Sequence, residues 1–328
     1  MALFPSWIAL VGVLVLLGAA VVGIVVLSRS LTPDEAGLGV GTVSGVERLG
    51  PWLAQERTRL FAAALLGVIA AAGAIAAAAR FGWWSGVFVA GSAGAVGTLL
   101  AVILMPVPAV DASVADPTDP GATASTWRTR GVLWRLRVTI ACAVVSVAAA
   151  AAAATVAVRA TGGGWAMPFR PVQMIEQSDQ GPARVEYGEG YLRPWLGWTD
   201  AVLMLVLGVA VVVLLVAALR RLGPDVALGG AQGVHELRRL IVVDVITGGM
   251  LAQVGIIGFV LGMQLASLTD VDPLPTPGGW ISTVAVQPQA TIGVVAAVIG
   301  VVALIVAVVQ LVLAGLGLTR LAPELTAR

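Results

Sequence analysis

Ionisable groups are missing from this chain in a pattern that few folds allow. Seven stretches of about twenty residues are almost free of them: Trp7–Ser28, Leu60–Ala79, Trp83–Met105, Val138–Val158, Trp198–Leu219, Leu240–Leu268 and Ile292–Gly315. A hydrocarbon core about 30 Å thick is crossed by about 20 apolar residues in a helix. A helix is favoured there because it satisfies every backbone N–H and C=O within one segment. A mean hydropathy of +0.97 with 11% charged residues excludes an ordinary soluble domain. The expected fold class is therefore an all-α integral membrane protein with seven transmembrane helices. The first stretch has no basic region before it and no small-residue cleavage site leading into a soluble domain. It reads as a transmembrane helix rather than a secretory signal.

All 19 basic residues are Arg, and they alternate between rich and poor gaps. Fourteen fall in gaps 29–59, 106–137 and 220–239 and in the tail, against five (Arg80, Arg159, Arg170, Arg184, Arg193) on the other side. Arg-rich connections stay in the cytoplasm, so the expected orientation is N-terminus out, C-terminus in. Trp7, Trp83, Trp84, Trp165, Trp195, Trp198 and Trp280 then all fall near outer helix ends, where indole rings favour the headgroup level. Abundant Ala, Val, Gly and Leu with no Lys point to a GC-rich bacterial genome and a bacterial cytoplasmic (inner) membrane.

The chain also repeats itself. Trp7 precedes Arg29 by 22 residues, and Trp198 precedes Arg220 by the same 22. Arg29-Ser-Leu-Thr-Pro-Asp34 and Arg220-Arg-Leu-Gly-Pro-Asp225 share the form R-x-L-x-P-D at an offset of 191. Arg57-Thr-Arg59-Leu60 and Arg238-Arg239-Leu240 enter the second and sixth stretches alike. This suggests two parallel repeats of three helices with the fourth helix as linker. The expected organisation is repeat 1 at 1–105, a cytoplasmic linker with helix 4 at 106–159, an extracytoplasmic loop at 160–197, and repeat 2 with a short tail at 198–328. In architecture alone, this 3+1+3 plan resembles sugar transporters of the SWEET type. The proline-based hinges of those transporters have almost no counterpart in the spans here.

The gaps read as connections. Thr32-Pro-Asp-Glu35 has the order of a helix start, with a capping residue, Pro at the first position and acids behind. Residues 106–126 read as a flexible linker. The outer segments 160–196 and 269–291 read as loops able to cap an outer mouth or meet a partner.

Few polar groups lie inside the spans. Asp244 is the most costly of them, since a charge at membrane depth faces protein or water. At helical spacing Thr247, Gly248, Leu251, Gly255, Gly258 and Gly262 share its side. Asp244 and Thr247 are candidates for binding a cation or proton on a transport pathway, with Arg238 or Arg239 as charge partner. Gln253 and Gln264, on the opposite face, and Gln310 are candidates for solute contact. Gly255, Gly258 and Gly262 read as a helix-packing surface.

The missing chemistry narrows the function. The single His, His235, excludes bis-His haem ligation within the bundle and argues against a His/Cys zinc centre. Without Lys no retinal Schiff base can form. No P-loop, H-E-x-x-H or G-x-S-x-G occurs. Cys142 is the only cysteine, so no internal disulfide forms. The expectation is a protein without catalysis, metal or cofactor. Its expected partners are the lipid bilayer and other membrane subunits or further copies of itself, with no nucleic acid. Two functions stay open: a non-ATP-driven permease or channel-like transporter of a small solute, proton- or cation-coupled through Asp244, and a non-catalytic subunit or scaffold of a cell-envelope complex.

Overall fold

The computed structural model describes residues 43–81, 84–107, 126–159, 164–169, 174–178, 181–185, 190–222, 232–267, 274–276, 279–282 and 288–320. The first predicted span, Trp7–Ser28, the motif at 29–34, most of the linker and the tail after 320 lie outside them. So do Gly223, Pro224 and Asp225 of the second motif copy and the side chain of His235.

Among the described residues, helices α1 (Val43–Phe81), α2 (Ser85–Phe88), α3 (Ala90–Leu104), α4 (Thr126–Thr155), α5 (Trp198–Arg221), α6 (Gln232–Ala266) and α7 (Gln289–Arg320) form the body of the molecule. Five of them contain a stretch long and apolar enough to cross a membrane: Ala54–Arg80, Val132–Thr155, Trp198–Arg221, Leu237–Ala266 and Gln289–Leu318. This is the architecture of a multi-pass membrane protein. Several helices outrun their apolar stretch. The 35 residues of α6 would reach about 52 Å at 1.5 Å per residue, well beyond a hydrocarbon core.

The third predicted span is not one helix. The chain breaks at Val89 (φ −102°, ψ 1°), leaving the single turn α2 and the 15-residue α3. Two close approaches accompany the break. A Cβ at Gly86 would collide with the carbonyl of Ala74 on α1, and one at Gly91 with the carbonyl of Gly249 on α6. At its other end α3 stops at Met105, whose ψ of 137° is the extended backbone imposed by Pro106.

Helix α6 is the hub, with α7, α4 and α3 packed around it; α1 and α5 flank α3, and α5 also packs on α4. Of the apolar window of α6, 67% is buried, against 17% for α7. The outward row Val298, Val302, Ile305 and Val309 on α7 is exposed, as is Val202, Val206, Val209 and Val213 on α5. These faces suit lipid, which is as apolar as they are. The interior holds two main apolar clusters. One gathers Leu60, Leu99, Val102, Leu215 and Ile246, the other Phe88, Trp195, Leu196, Met204 and Ile257.

Strands occupy the segments expected to be loops and, at Val158–Arg159, the expected end of the fourth helix, which stops at Thr155, so the fold is not purely helical. Strands β1 (Val158–Arg159), β2 (Trp165–Phe169) and β5 (Gly190–Leu192) form one antiparallel sheet. Strands β3 (Met174–Ser178), β4 (Gly181–Val185), β6 (Leu274–Thr276) and β7 (Gly279–Ser282) form another, in the order β4-β3-β7-β6. The pairs Ile175↔Ser282 and Glu176↔Ile281 join two segments far apart in sequence. All strands sit at one end of the bundle, the strand end. The opposite end, where α1, α4 and α6 begin their apolar stretches and α3, α5 and α7 finish, is the Arg-rich end.

The strand end is tied to the helices by polar contacts. Trp195 donates Nε1–H to the carbonyl of Ala153 at 2.9 Å, and Trp165 donates to Thr199 Oγ1 at 2.9 Å. Asp200, at the third position of α5, accepts the amide of Gly197 at 2.8 Å and the hydroxyl of Ser85. That carboxylate caps the start of α5 and fastens α2 to it.

Candidate functional site

The chemistry within the spans gathers around α6 in three places. The first is a buried ion cluster at the Arg-rich end. Glu56 on α1 is fully buried, and one of its oxygens, Oε1, accepts from both Arg59 Nη1 and Arg238 Nε, each at 2.7 Å. Arg238 also lies over the ring of Trp52, 5.2 Å from its centroid. Arg59 Nη2 reaches the carbonyl of Val102 at 2.6 Å. Val102 lies in the last turn of α3, whose final carbonyls have no partner within the helix. A guanidinium there meets the negative end of the helix dipole.

The second place is the middle of α6. Gln253 is buried, and its Oε1 accepts from the backbone N–H of Ser92 at 2.8 Å and from the Ser92 hydroxyl at 2.7 Å. Ser92 is the third residue of α3, where the break at Val89 leaves first-turn N–H groups without helical acceptors. Gln253 supplies one from a neighbouring helix. Helix α3 is thus held at both ends, by Gln253 at its start and Arg59 at its finish. Gln253→Leu should cost about 1–3 kcal/mol, because a buried N–H and hydroxyl lose their acceptor. Chemical denaturation of the purified protein measures it. Stability unchanged from wild type would mean that this cap contributes nothing.

The third place is the α4–α6 contact. Asp244 pairs with Arg135 on α4. One turn further, Thr139 Oγ1 and Thr247 Oγ1 share a hydrogen bond of 2.9 Å, and Thr139 also donates to the carbonyl of Arg135 at 3.0 Å. The partners expected for Asp244 are engaged elsewhere: Arg238 binds Glu56, and Arg239 Nε donates to the carbonyl of Leu222 at 3.2 Å. The physical reason is angular. At about 100° per residue, Arg238 and Arg239 stand about 120° and 140° away from Asp244 around α6. A cavity of about 140 Å³ lies beside the Arg135–Asp244 pair, between α4, α6 and α7.

Of the residues singled out from sequence, the structure sets Asp244 and Thr247 of α6 against α4, on Arg135 and Thr139. Gln253 is bound to α3. Gln264 is half-buried near the strand end, 20 residues beyond Asp244 and so about 30 Å along the helix. Gln310 is half-buried on α7, and its Oε1 has no hydrogen-bond donor among the described residues. Gly255, Gly258 and Gly262 meet α7. A Cβ at Gly255 would stand 2.7 Å from Leu304 Cγ, one at Gly258 would stand 3.1 Å from the Ala296 carbonyl, and one at Gly262 would collide with the Ala297 amide. Glu56, Arg59, Arg135 and Ser92 were not anticipated as internal bonding groups. A signal existed for the first two: Glu56 and Arg59 are three apart at the mouth of an apolar run, the spacing of an ion pair on one helix face. No group of three or more metal-ligating side chains occurs among the described residues.

Comparison with known proteins finds no matching family model, no matching curated protein and no matching solved structure.

Proposed function

We propose that the chain is a non-catalytic membrane subunit, a stiff helical platform whose strand end meets a partner of a larger envelope complex. The observation that carries this reading is how the polar groups of the hub helix are used. Arg238, Asp244, Thr247 and Gln253 each bind a neighbouring helix, and α3 is fastened at both ends by side chains from α1 and α6. Groups engaged in this way hold a bundle together and are poorly placed to exchange partners during a transport cycle. The composite sheet, made from two separated connections, offers a surface that no single loop could form. On this reading the Arg-rich end faces the cytoplasm of a bacterial cell, and the duplicated three-helix unit is a building plan rather than a transport device.

A coupled permease is the second reading, and the cavity beside Asp244 favours it. One comparison separates the two. A photo-crosslinker at Gln177 on β3 should capture a partner that co-purifies stoichiometrically from native membranes, whereas one at Val298 on the lipid-facing row of α7 should not. A protein that purifies alone, and moves protons or cations into vesicles unless Asp244 is changed to Asn, would replace the subunit reading with the permease.

A further inference from the structure

The cavity at the Arg-rich end carries an inference that neither functional reading requires. Its wall holds one guanidinium and one carboxylate, Arg135 and Asp244, with leucines of α6 and α7 (Leu240, Leu313, Leu316) around them. It is not sealed: Leu313 is 40% exposed and the Arg135 side chain 24%. Arg135 lies three residues into its apolar stretch and Asp244 seven residues into its own. At 1.5 Å per residue that is about 5–10 Å inside the ends of the spans, the depth at which headgroups give way to acyl chains. The exposed row of α7 borders the mouth, so the nearest source of an occupant is the bilayer itself.

The charges select among bilayer components. The ion pair engages Nε of Arg135; its two Nη groups have no hydrogen-bond acceptor among the described residues. Those donors form a fork suited to a phosphate. The adjacent Asp244 would repel a headgroup that is only anionic. It would attract one that carries a cation beside its phosphate, most strongly where the cation has N–H groups to donate. We propose that this cavity is a binding site for a zwitterionic phospholipid with a primary ammonium headgroup. Its phosphate sits on Arg135, its ammonium on Asp244, and its upper acyl chain lies along Leu313 and Leu316.

The test uses the full chain in nanodiscs of equal parts phosphatidylethanolamine, phosphatidylcholine and phosphatidylglycerol, followed by mild delipidation and native mass spectrometry. Wild type should retain one phosphatidylethanolamine about tenfold over either competitor, a preference of the size that one or two charge-assisted hydrogen bonds supply. Arg135→Gln and Asp244→Asn should each erase that preference. Because either variant could disturb folding, Leu313→Trp provides a separate check. It fills the mouth without touching the ion pair, and should release the lipid while Cys142 stays protected from thiol reagents. Equal retention of phosphatidylglycerol would overturn the choice of a zwitterion. Displacement of the lipid by soluble phosphoethanolamine or inorganic phosphate would make it a headgroup site for a free solute and overturn the lipid assignment. Retention unaffected by Leu313→Trp would place the bound lipid elsewhere.

Discussion

Glu56→Ala should be among the most damaging single changes in the chain, costing about 3–5 kcal/mol, because it leaves two buried guanidiniums without their shared counter-charge. Arg59 is 6% exposed and Arg238 1% exposed, so neither reaches solvent without moving a helix. Loss of the carboxylate also frees Arg59 from the geometry that caps the Val102 carbonyl, so the damage should spread from α1 to the end of α3. Cys142, the only thiol and buried in α4, provides the measurement: a thiol-reactive dye reports the temperature at which the bundle opens. Two comparisons give the result its meaning. Arg57→Ala, at an exposed neighbour on the same helix, should stay within about 0.5 kcal/mol of wild type. The triple change Glu56→Leu, Arg59→Met, Arg238→Met should recover most of the loss, since removing a whole buried ion cluster is far less costly than orphaning part of it. A Glu56→Ala protein that melts with wild type would show that the cluster is energetically idle.

That cluster is legible in the sequence only in part, through the Glu56–Arg59 spacing. Apolar runs of bilayer length are a direct physical requirement of crossing lipid, so Leu60–Ala79, Val138–Val158, Trp198–Leu219, Leu240–Leu268 and Ile292–Gly315 all coincide largely with the long apolar helices. Hydropathy measures the membrane rather than the helix, which is why the extensions of α1 back to Val43 and of α6 back to Gln232 went unseen. The break at Val89 has no local mark, since no Pro stands there. It goes with the approach of Gly86 and Gly91 to two other helices, a tertiary fact. The strands were illegible for a similar reason. The pairing Ile175↔Ser282 crosses more than a hundred residues, and runs of two to five residues carry too little periodicity to read. Asp244 shows both sides. Its place in an apolar helix makes it a candidate, but the partners expected for it, Arg238 and Arg239, stand on other sides of α6 and bind elsewhere. Its actual partner, Arg135, lies on a helix whose docking no local pattern announces.

Gly300→Leu should be comparably destructive, and for a different physical reason. Helices α6 and α7 run together with their backbones nearly touching. A Cβ at Gly300 would collide with the amide of Phe259 and stand 2.7 Å from the Gly255 carbonyl. Those atoms are backbone, so no rotamer change relieves the overlap. The helices must separate and give up dispersion contacts along the seam, which in lipid no hydrophobic effect replaces. Overpacking of this kind costs about 1–3 kcal/mol where side chains can yield, and against rigid backbone the expectation is the top of that range or above. Gly73 on α1 provides the opposite case. Nothing lies within 4 Å of a Cβ built there, so Gly73→Ala should gain up to about 1 kcal/mol from helix propensity alone. Thermal unfolding of both variants in one detergent, read through Cys142, should move the two in opposite directions. If Gly300→Leu melts like wild type, α6 and α7 are not in backbone contact, and the stiff platform proposed for this bundle loses its tightest seam.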